Sequence, residues 1–153
     1  MKHINPGEQF RIPMDAVEDD VERSGNKRLK TIWEKIQREQ DVDAMEYMSL
    51  AYIYGNSGLP ASLEKGIGFL HLAAQGGCTT AQHYMADCYA YGIGVTQNIG
   101  LACRYYRLST QDSDDDLRET ARRQLEKLQT WVKESSRIVF FGGAGVSTES
   151  GIP

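Results

Sequence analysis

The chain has 153 residues, enough for one domain with a buried core. It is 41% hydrophobic and 25% charged, with a formal net charge of −4. This charge argues against nucleic acid or an anionic membrane as the main partner, because both favour a basic surface. No apolar run approaches the roughly 20 residues that span a bilayer, and the first residues lack the apolar core of a secretory signal. We therefore expect a cytoplasmic protein.

The N-terminal residues carry the weakest pattern. Residues 1–12 are predicted to be poorly ordered, as chain ends often are. A helix is predicted for Met14 to Arg23, ahead of Ser24-Gly25. Lys27 to Ala44 is predicted to supply the second helix of a degenerate leading repeat.

An internal repeat organises the middle of the chain. Ala44 to Gly58 (AMEYMSLAYIYGNSG) aligns with Ala81 to Val95 (AQHYMADCYAYGIGV), which gives a period near 37 residues. Within each segment apolar residues recur at the spacing of three and four that forms one face of a helix. Each unit is therefore predicted to be a helix, a Gly-containing loop and a second helix. The aligned pairs are Tyr47 with Tyr84, Met48 with Met85, Tyr52 with Tyr89, Tyr54-Gly55 with Tyr91-Gly92, Gly66 with Ala102, and Phe69-Leu70 with Tyr105-Tyr106.

These units resemble Sel1-like repeats, an α/α relative of the tetratricopeptide repeat (TPR). The family signature has an Ala-rich first helix ending in Tyr-x-x-Gly-x-Gly, and an aromatic pair in the second helix. The second unit keeps Tyr89, Gly92 and Gly94, whereas the first has Ser57 where the second Gly belongs. The resemblance implies an all-α fold, a Sel1/TPR-like solenoid of about two to three helix pairs that binds other proteins.

The three cysteines are Cys78, Cys88 and Cys103. They form no C-x-x-C pair, and one thiol is left over under any disulfide pairing. This pattern predicts free thiols in a reducing compartment and gives no support for a metal site.

A further helix is predicted after the repeats, from Leu117 to Ser135, with Asp112 or Ser113 capping its start. The acidic run DSDDD before it is expected to be solvated. The helix could cap the solenoid, open an enzyme domain, or serve as a polar-faced linker. Its apolar stripe consists of Leu117, Ala121, Leu125, Leu128 and Val132.

A short apolar run follows, Ile138 to Phe141, of the residue types that suit a buried parallel strand. The Gly-rich turn Gly142 to Gly145 comes directly after it. Strands that run into such turns form phosphate-binding loops in α/β folds, because the exposed amides point at the anion. Neither a G-x-G-x-x-G pattern nor a P-loop lysine is present.

The segment from Arg137 to Pro153 (RIVFFGGAGVSTESGIP) resembles the opening of the sirtuin catalytic domain, which belongs to the Sir2-family NAD-dependent protein deacylases. The family pattern GAG-x-S-x-x-x-GIP is matched position by position. The resemblance implies that Ala144 and Gly145 present backbone amides to the NAD phosphates, with Thr148 as a candidate hydroxyl contact. The implied cofactor-binding residues are Gly143, Ala144, Gly145, Ser147 and Thr148.

The same resemblance implies an α/β Rossmann-like domain of which only the first strand and NAD loop are expected here. Sirtuin deacylation also needs a His base, a Gln-Asn-x-Asp segment and usually a four-Cys zinc module. None of these occurs in this sequence, and His3, His71 and His83 are predicted to have surface or packing roles. We therefore expect no catalytic residue, no metal site and no NAD binding from these 153 residues alone.

The predicted domains are an N-terminal extension, partly disordered (1–25), Sel1-like repeats (26–111, with clear units at about 44–80 and 81–111), a capping or connecting helix (112–135) and a truncated sirtuin start (136–153). Two functions compete. The chain is either the front portion of an NAD-dependent protein deacylase whose repeats bind acylated substrates or partner proteins, or a non-enzymatic adaptor with a vestigial tail. Another nucleotide-binding α/β enzyme is a third, weaker alternative. Deacylation and mono-ADP-ribosyl transfer remain open.

Overall fold

The computed structural model describes the backbone of residues 11–142 and the side chains of residues 11–135. Within this range the chain is entirely helical, which confirms the all-α prediction and agrees with a Sel1/TPR-like solenoid. None of its helices combines the length and apolar character that crossing a membrane requires. The helices are α1 (Met14–Ser24), α2 (Lys27–Glu39), α3 (Val42–Tyr54), α4 (Leu63–Gln75), α5 (Thr79–Tyr91), α6 (Ile99–Ser109) and α7 (Asp115–Gly142).

The described residues form two compact units that divide between Met85 and Ala86, inside α5. The domain boundaries predicted from the sequence remain predictions. The prediction of disorder for residues 1–12 falls mainly outside the described residues.

Polar side chains fix where the helices begin. In each of four helices an Asn, Asp or Ser side chain accepts a hydrogen bond from the backbone N–H three residues further on, and this bond satisfies a donor that the helix cannot pair. Gly25 and Gly55 then end α1 and α3 in the left-handed conformation. The predicted Gly-containing loops therefore lie between α3 and α4 and between α5 and α6. The capping residues of α2, α3, α4 and α6 are Asn26, Asp41, Ser62 and Asn98, respectively.

The core of the first unit is built around the α3–α4 hairpin. The ring of Tyr52 stacks on Phe69 with centroids 6.1 Å apart, and Trp33 of α2 meets the same Phe69 edge-on at 6.1 Å. Such aromatic pairs contribute about 0.5–1.5 kcal/mol beyond the burial of their area. Val17 and Val21 are the buried residues of α1, which packs on α2. The two predicted leading helices are present as α1 and α2, but α2 ends at Glu39, and Ala44 of the predicted segment belongs to α3.

Helices α3 and α4 approach each other closely at Gly66. A Cβ atom at this position would lie 2.5 Å from Ile53 Cγ1 and 3.1 Å from the backbone oxygen of Ser49. The equivalent position of the second repeat is Ala102, which is also buried. The two repeats therefore share a small residue here, but only the first needs a glycine.

In the second unit, α6 packs against α7, and Tyr89 stacks on Tyr105 with centroids 5.9 Å apart. The predicted apolar stripe of α7 is buried at Ala121 and Leu128, but Val132 is 38% exposed. The packing of α7 thus covers its first half, which a free linker helix would not show.

Two predictions for α7 need correction. The capping residue is Asp114, whose Oδ1 accepts a hydrogen bond from the Leu117 N–H at 3.0 Å, rather than Asp112 or Ser113. The strand predicted for residues 138–141 is not seen, because α7 continues through them to Gly142. A single strand leaves its backbone donors and acceptors unpaired when no neighbouring strand is present, whereas a helix satisfies them within the segment.

Candidate functional site

The predicted NAD-binding residues, Gly143, Ala144, Gly145, Ser147 and Thr148, lie outside the described residues. Their roles therefore remain predictions. The structure describes the backbone that leads to them, which is helical as far as Gly142.

The described residues contain no group of three or more His, Cys, Asp or Glu side chains that could hold a metal ion. His71 and His83 are both buried, on α4 and α5 respectively. Both therefore have a packing role, one of the two roles predicted for them. His3 lies outside the described residues.

The three cysteines are free thiols in an unreactive setting. Burial raises the pKa of Cys78 to about 11, helped by the hydrogen bond that its Sγ donates to Glu46 Oε2 at 3.1 Å. Burial likewise raises the pKa of Cys88 to about 11, and it raises the pKa of Cys103 although the charge of Arg107 opposes this. Because the thiolate is the nucleophile, these groups are poor candidates for covalent chemistry at neutral pH.

A polar cluster joins three helices of the first unit. Asp20 Oδ2 on α1 accepts hydrogen bonds from Tyr52 Oη on α3 at 2.8 Å and from Lys65 Nζ on α4 at 2.7 Å. Burial raises the pKa of Asp20, but these two hydrogen bonds and the charges of Lys65 and Arg23 outweigh it, so the net pKa is lowered. The carboxylate stays ionised and holds α1 against the first repeat. Its role is structural.

The second unit has a related pair. The buried hydroxyl of Tyr106 on α6 donates a hydrogen bond to Asp87 Oδ1 on α5. Burial first, and this hydrogen bond second, raise the pKa of Tyr106 well above its usual range. The phenol remains protonated and links the two helices of the repeat.

One solvent-facing surface combines aromatic and basic side chains. The guanidinium of Arg28 on α2 lies over the ring of Tyr47 on α3, with Cζ 5.5 Å from the ring centroid. Leu50 and Tyr54 continue the face of Tyr47 along α3 at the helical spacing of three and four. Leu50 is half-buried and Tyr54 is 72% exposed. We call these four residues the α2–α3 face.

Ser57, in the loop after α3, holds the ring of Tyr47 in place. Its Oγ lies 2.8 Å from Tyr47 Oη, and its backbone oxygen accepts a hydrogen bond from Asn26 Nδ2 at 3.2 Å. Ser57 adopts φ +61°, a left-handed conformation that costs a non-glycine residue about 1 kcal/mol. The equivalent Gly94 has φ +69°, so the first repeat keeps the backbone shape but replaces the glycine that suits it. The sequence shows this substitution but not the contact that it makes.

Comparison with known families identifies the middle of the helical region, from α3 to α6. A family model described as the Sel1 repeat matches residues 42–78 and 79–114, which correspond to the α3–α4 and α5–α6 hairpins. The chain contains two Sel1 repeats. The Sel1 repeats predicted from the Tyr and Gly spacing are therefore confirmed.

Short matches to curated proteins support the second resemblance. An NAD-dependent protein deacetylase of Cutibacterium acnes is 68% identical over 28 residues, which cover 18% of this chain and 12% of that protein. An NAD-dependent protein deacetylase of Clostridium perfringens is 67% identical over 30 residues, which cover 20% of this chain and 12% of that protein. The chain thus spans about one eighth of the length of these relatives. No solved structure matches the chain.

Proposed function

We propose that this chain is the N-terminal portion of a Sir2-family NAD-dependent protein deacylase, in which Sel1 repeats form an arm for protein interaction. The observation that carries the proposal is the combination of two Sel1 repeats with a stretch about two thirds identical to two bacterial deacetylases. Neither part alone would support it, because the repeats suggest protein binding and the short stretch suggests NAD chemistry.

In this proposal the NAD loop is formed by Gly143, Ala144 and Gly145, together with Ser147 and Thr148. Small residues allow backbone N–H groups to approach the phosphates of the dinucleotide, and the hydroxyls of Ser147 and Thr148 offer further hydrogen bonds. NAD would supply the ADP-ribose group that accepts the acyl group, with nicotinamide as the leaving group. The acyl-transfer step itself requires residues that this sequence does not contain, so the 153 residues would be inactive alone.

Helix α7 supports a direct connection between the two parts. Its first half packs on α6 of the second repeat, and its backbone continues without a break to Gly142, next to the proposed NAD loop. A continuous helix transmits orientation better than a flexible linker. We therefore propose that the repeats position acylated protein substrates or partner proteins relative to the catalytic body, in the cytoplasm.

The first test is to read the gene beyond the codon for Pro153. An in-frame continuation with the sirtuin Asp-Phe-Arg segment and later Cys pairs is expected. The longer protein should then release nicotinamide from NAD in the presence of an acetyl-lysine protein, and deletion of residues 26–111 should raise KM for the protein substrate more than KM for NAD. A stop codon directly after Pro153 would contradict the enzymatic proposal.

One observation favours a second candidate, a Sel1-repeat adaptor with a vestigial sirtuin-like tail. Residues 138–141 are helical where a sirtuin-type loop would require a strand before it. An adaptor needs only the repeat surfaces, so it would keep partner binding when the tail is deleted after Ser135.

NAD binding can also be measured directly on the chain of residues 1–153. Isothermal calorimetry with NAD should show no heat of binding, because the proposed loop would supply only one side of a dinucleotide pocket. A micromolar Kd would show that the loop binds NAD without the rest of a catalytic domain, contrary to this expectation.

A further inference from the structure

The α2–α3 face, consisting of Arg28, Tyr47, Leu50 and Tyr54, is organised in a way that the fold does not require. Tyr54 is 72% exposed, so its ring contributes little to the core. Tyr47 is only half-buried, yet it is held by Arg28 above its ring and by Ser57 at its hydroxyl. A strained serine that fixes a partly exposed ring points to a role for that ring outside the packing.

The chemistry of Arg28 indicates what it can bind. Its guanidinium makes no ion pair among the described side chains, and it is exposed to solvent. The cation–π contact with Tyr47 leaves the N–H donors of the guanidinium available, and a guanidinium presents them in a fork that matches the two oxygens of a carboxylate. Lys35 is also exposed and lies two helical turns further along the same side of α2. This side of α2 is therefore basic from Arg28 to Lys35, and the exposed Glu39 follows one turn later at the end of the helix.

The α3 side of the surface supplies apolar contacts. Leu50 and Tyr54 continue from Tyr47 and end at Gly55, where the helix stops. Tyrosine gives a large contact area at a small cost in conformational entropy. Asp43 lies one turn before Tyr47 on the same face of α3, eleven residues before Tyr54, so its negative charge is at the far end of this face from the exposed ring.

We propose that the α2–α3 face binds a short acidic segment of a partner protein, with a Glu or Asp carboxylate on Arg28 and an apolar side chain against Leu50 and Tyr54. Charge complementarity with the basic side of α2 selects the acidic residue, and the exposed aromatic ring selects its apolar neighbour. Ser57 is a positioning residue that acts through Tyr47. The inference deepens the proposed protein-interaction role of the repeats and rests on it.

The test uses the full chain of residues 1–153, labelled for NMR. The probes are three acetylated hexapeptides, each with two Glu residues and one Phe or Leu at different spacings, and the same three peptides with Gln in place of Glu. At least one acidic peptide should shift the side-chain signals of Arg28, Tyr47 and Tyr54, and its Gln counterpart should not. No shift of these signals by any acidic peptide at millimolar concentration would overturn the proposal.

Matched variants separate a defined contact from general attraction. Arg28→Gln should weaken binding at least about fivefold, since it removes the charge-assisted contact. Lys30→Gln removes one charge from the opposite side of α2 and should change binding less than about twofold. Equal losses from the two variants would show diffuse attraction and would overturn the proposal.

Ser57→Gly tests the positioning role. Glycine suits φ +61° and should leave the chain at least as stable, but the loss of the hydroxyl should weaken peptide binding about two- to threefold. A change in stability with unchanged binding would show that Ser57 acts only in the fold.

Sedimentation equilibrium distinguishes another occupant. If the chain self-associates and Arg28→Gln abolishes the association, a second copy covers the face and the partner proposal is wrong. If the chain binds the peptide but its longer form lacks NAD-dependent activity, the binding role of the α2–α3 face is supported and the proposed enzymatic function fails. If the longer form is active with NAD but the α2–α3 face binds no peptide, the binding proposal fails and the proposed enzymatic function stands.

Discussion

The close approach of α3 and α4 at Gly66 predicts that a Gly-to-Ala substitution lowers stability there but not at Gly100, a glycine of α6 with more open space around it. In Gly66→Ala, the added methyl group would lie 2.5 Å from Ile53 Cγ1 and 3.1–3.2 Å from backbone atoms of Ser49 and Ile53. The side chain of Ile53 can rotate, but the backbone atoms cannot move without shifting α3. The helices must therefore separate by a few tenths of an ångström.

The magnitude follows from two competing effects. Ala favours a helix over Gly by about 1 kcal/mol. Overpacking a well-filled interface costs about 1–3 kcal/mol, and the upper part of this range applies where the obstacle is backbone. We expect Gly66→Ala to lower the free energy of unfolding of the first unit by about 1–2 kcal/mol. With a urea dependence of about 1–1.5 kcal/mol/M, the midpoint should fall by about 1 M.

Gly100 near the start of α6 is the matched control. A Cβ atom there would meet only Asn98 Oδ1 at 3.4 Å, so Gly100→Ala should leave stability unchanged or raise it by about 0.5 kcal/mol. A Trp131→Phe background leaves Trp33, which is buried in the first unit, as the only tryptophan fluorescence reporter. Urea titrations followed by this signal measure Gly66→Ala, and circular dichroism measures both variants. If Gly66→Ala equals or exceeds the parent chain in stability, the reasoning from backbone contact is wrong.

Three further predictions concern the polar contacts. Asp20→Asn should lower the free energy of unfolding by about 1 kcal/mol at pH 7. Because the folded pKa of Asp20 is below 3.8, the stability difference between the parent chain and the variant should shrink as the pH falls through that value. Urea titrations that give the same difference at pH 7 and pH 3 would contradict this. Tyr106→Phe should cost about 1–2 kcal/mol, since Asp87 loses a donor, and a thermal melt unchanged within 1 °C would refute it. Cys78 should react slowly with a disulfide reagent at pH 7.5 because its pKa is about 11. Glu46→Gln should speed the reaction, since the Glu46 carboxylate helps to raise this pKa. Peptide mass spectrometry follows the modification of Cys78.

The local parts of the fold could be predicted from the sequence. The repeated Tyr and Gly positions define the two hairpins, because helix spacing and left-handed turns depend on neighbouring residues. The capping residue of α7 could not be chosen from sequence, because Asp112, Ser113 and Asp114 are all suitable side chains in adjacent positions. Only the observed bond to Leu117 decides among them.

Contacts between distant residues could not be predicted. Asp20 is 32 residues from Tyr52 and 45 from Lys65, and no sequence pattern links them. The same holds for Arg28 and Tyr47. The predicted strand at residues 138–141 shows a different limit, since its apolar, β-branched and aromatic residues suit a strand only when other strands are present to pair with it. The NAD-binding roles of Gly143 to Thr148 are predicted from the sequence alone, because these residues lie outside the described part of the chain.

Helix α7 has a consequence for how the protein could be altered. It is one rod of 28 residues, about 42 Å long at 1.5 Å per residue. Each residue deleted from residues 129–135 would rotate everything after the deletion by about 100° and draw it about 1.5 Å nearer to the second repeat. Deleting seven residues would nearly restore the original orientation of the following segment about the helix axis, at a shorter distance from the second repeat. The distance and the orientation of that segment can therefore be varied separately.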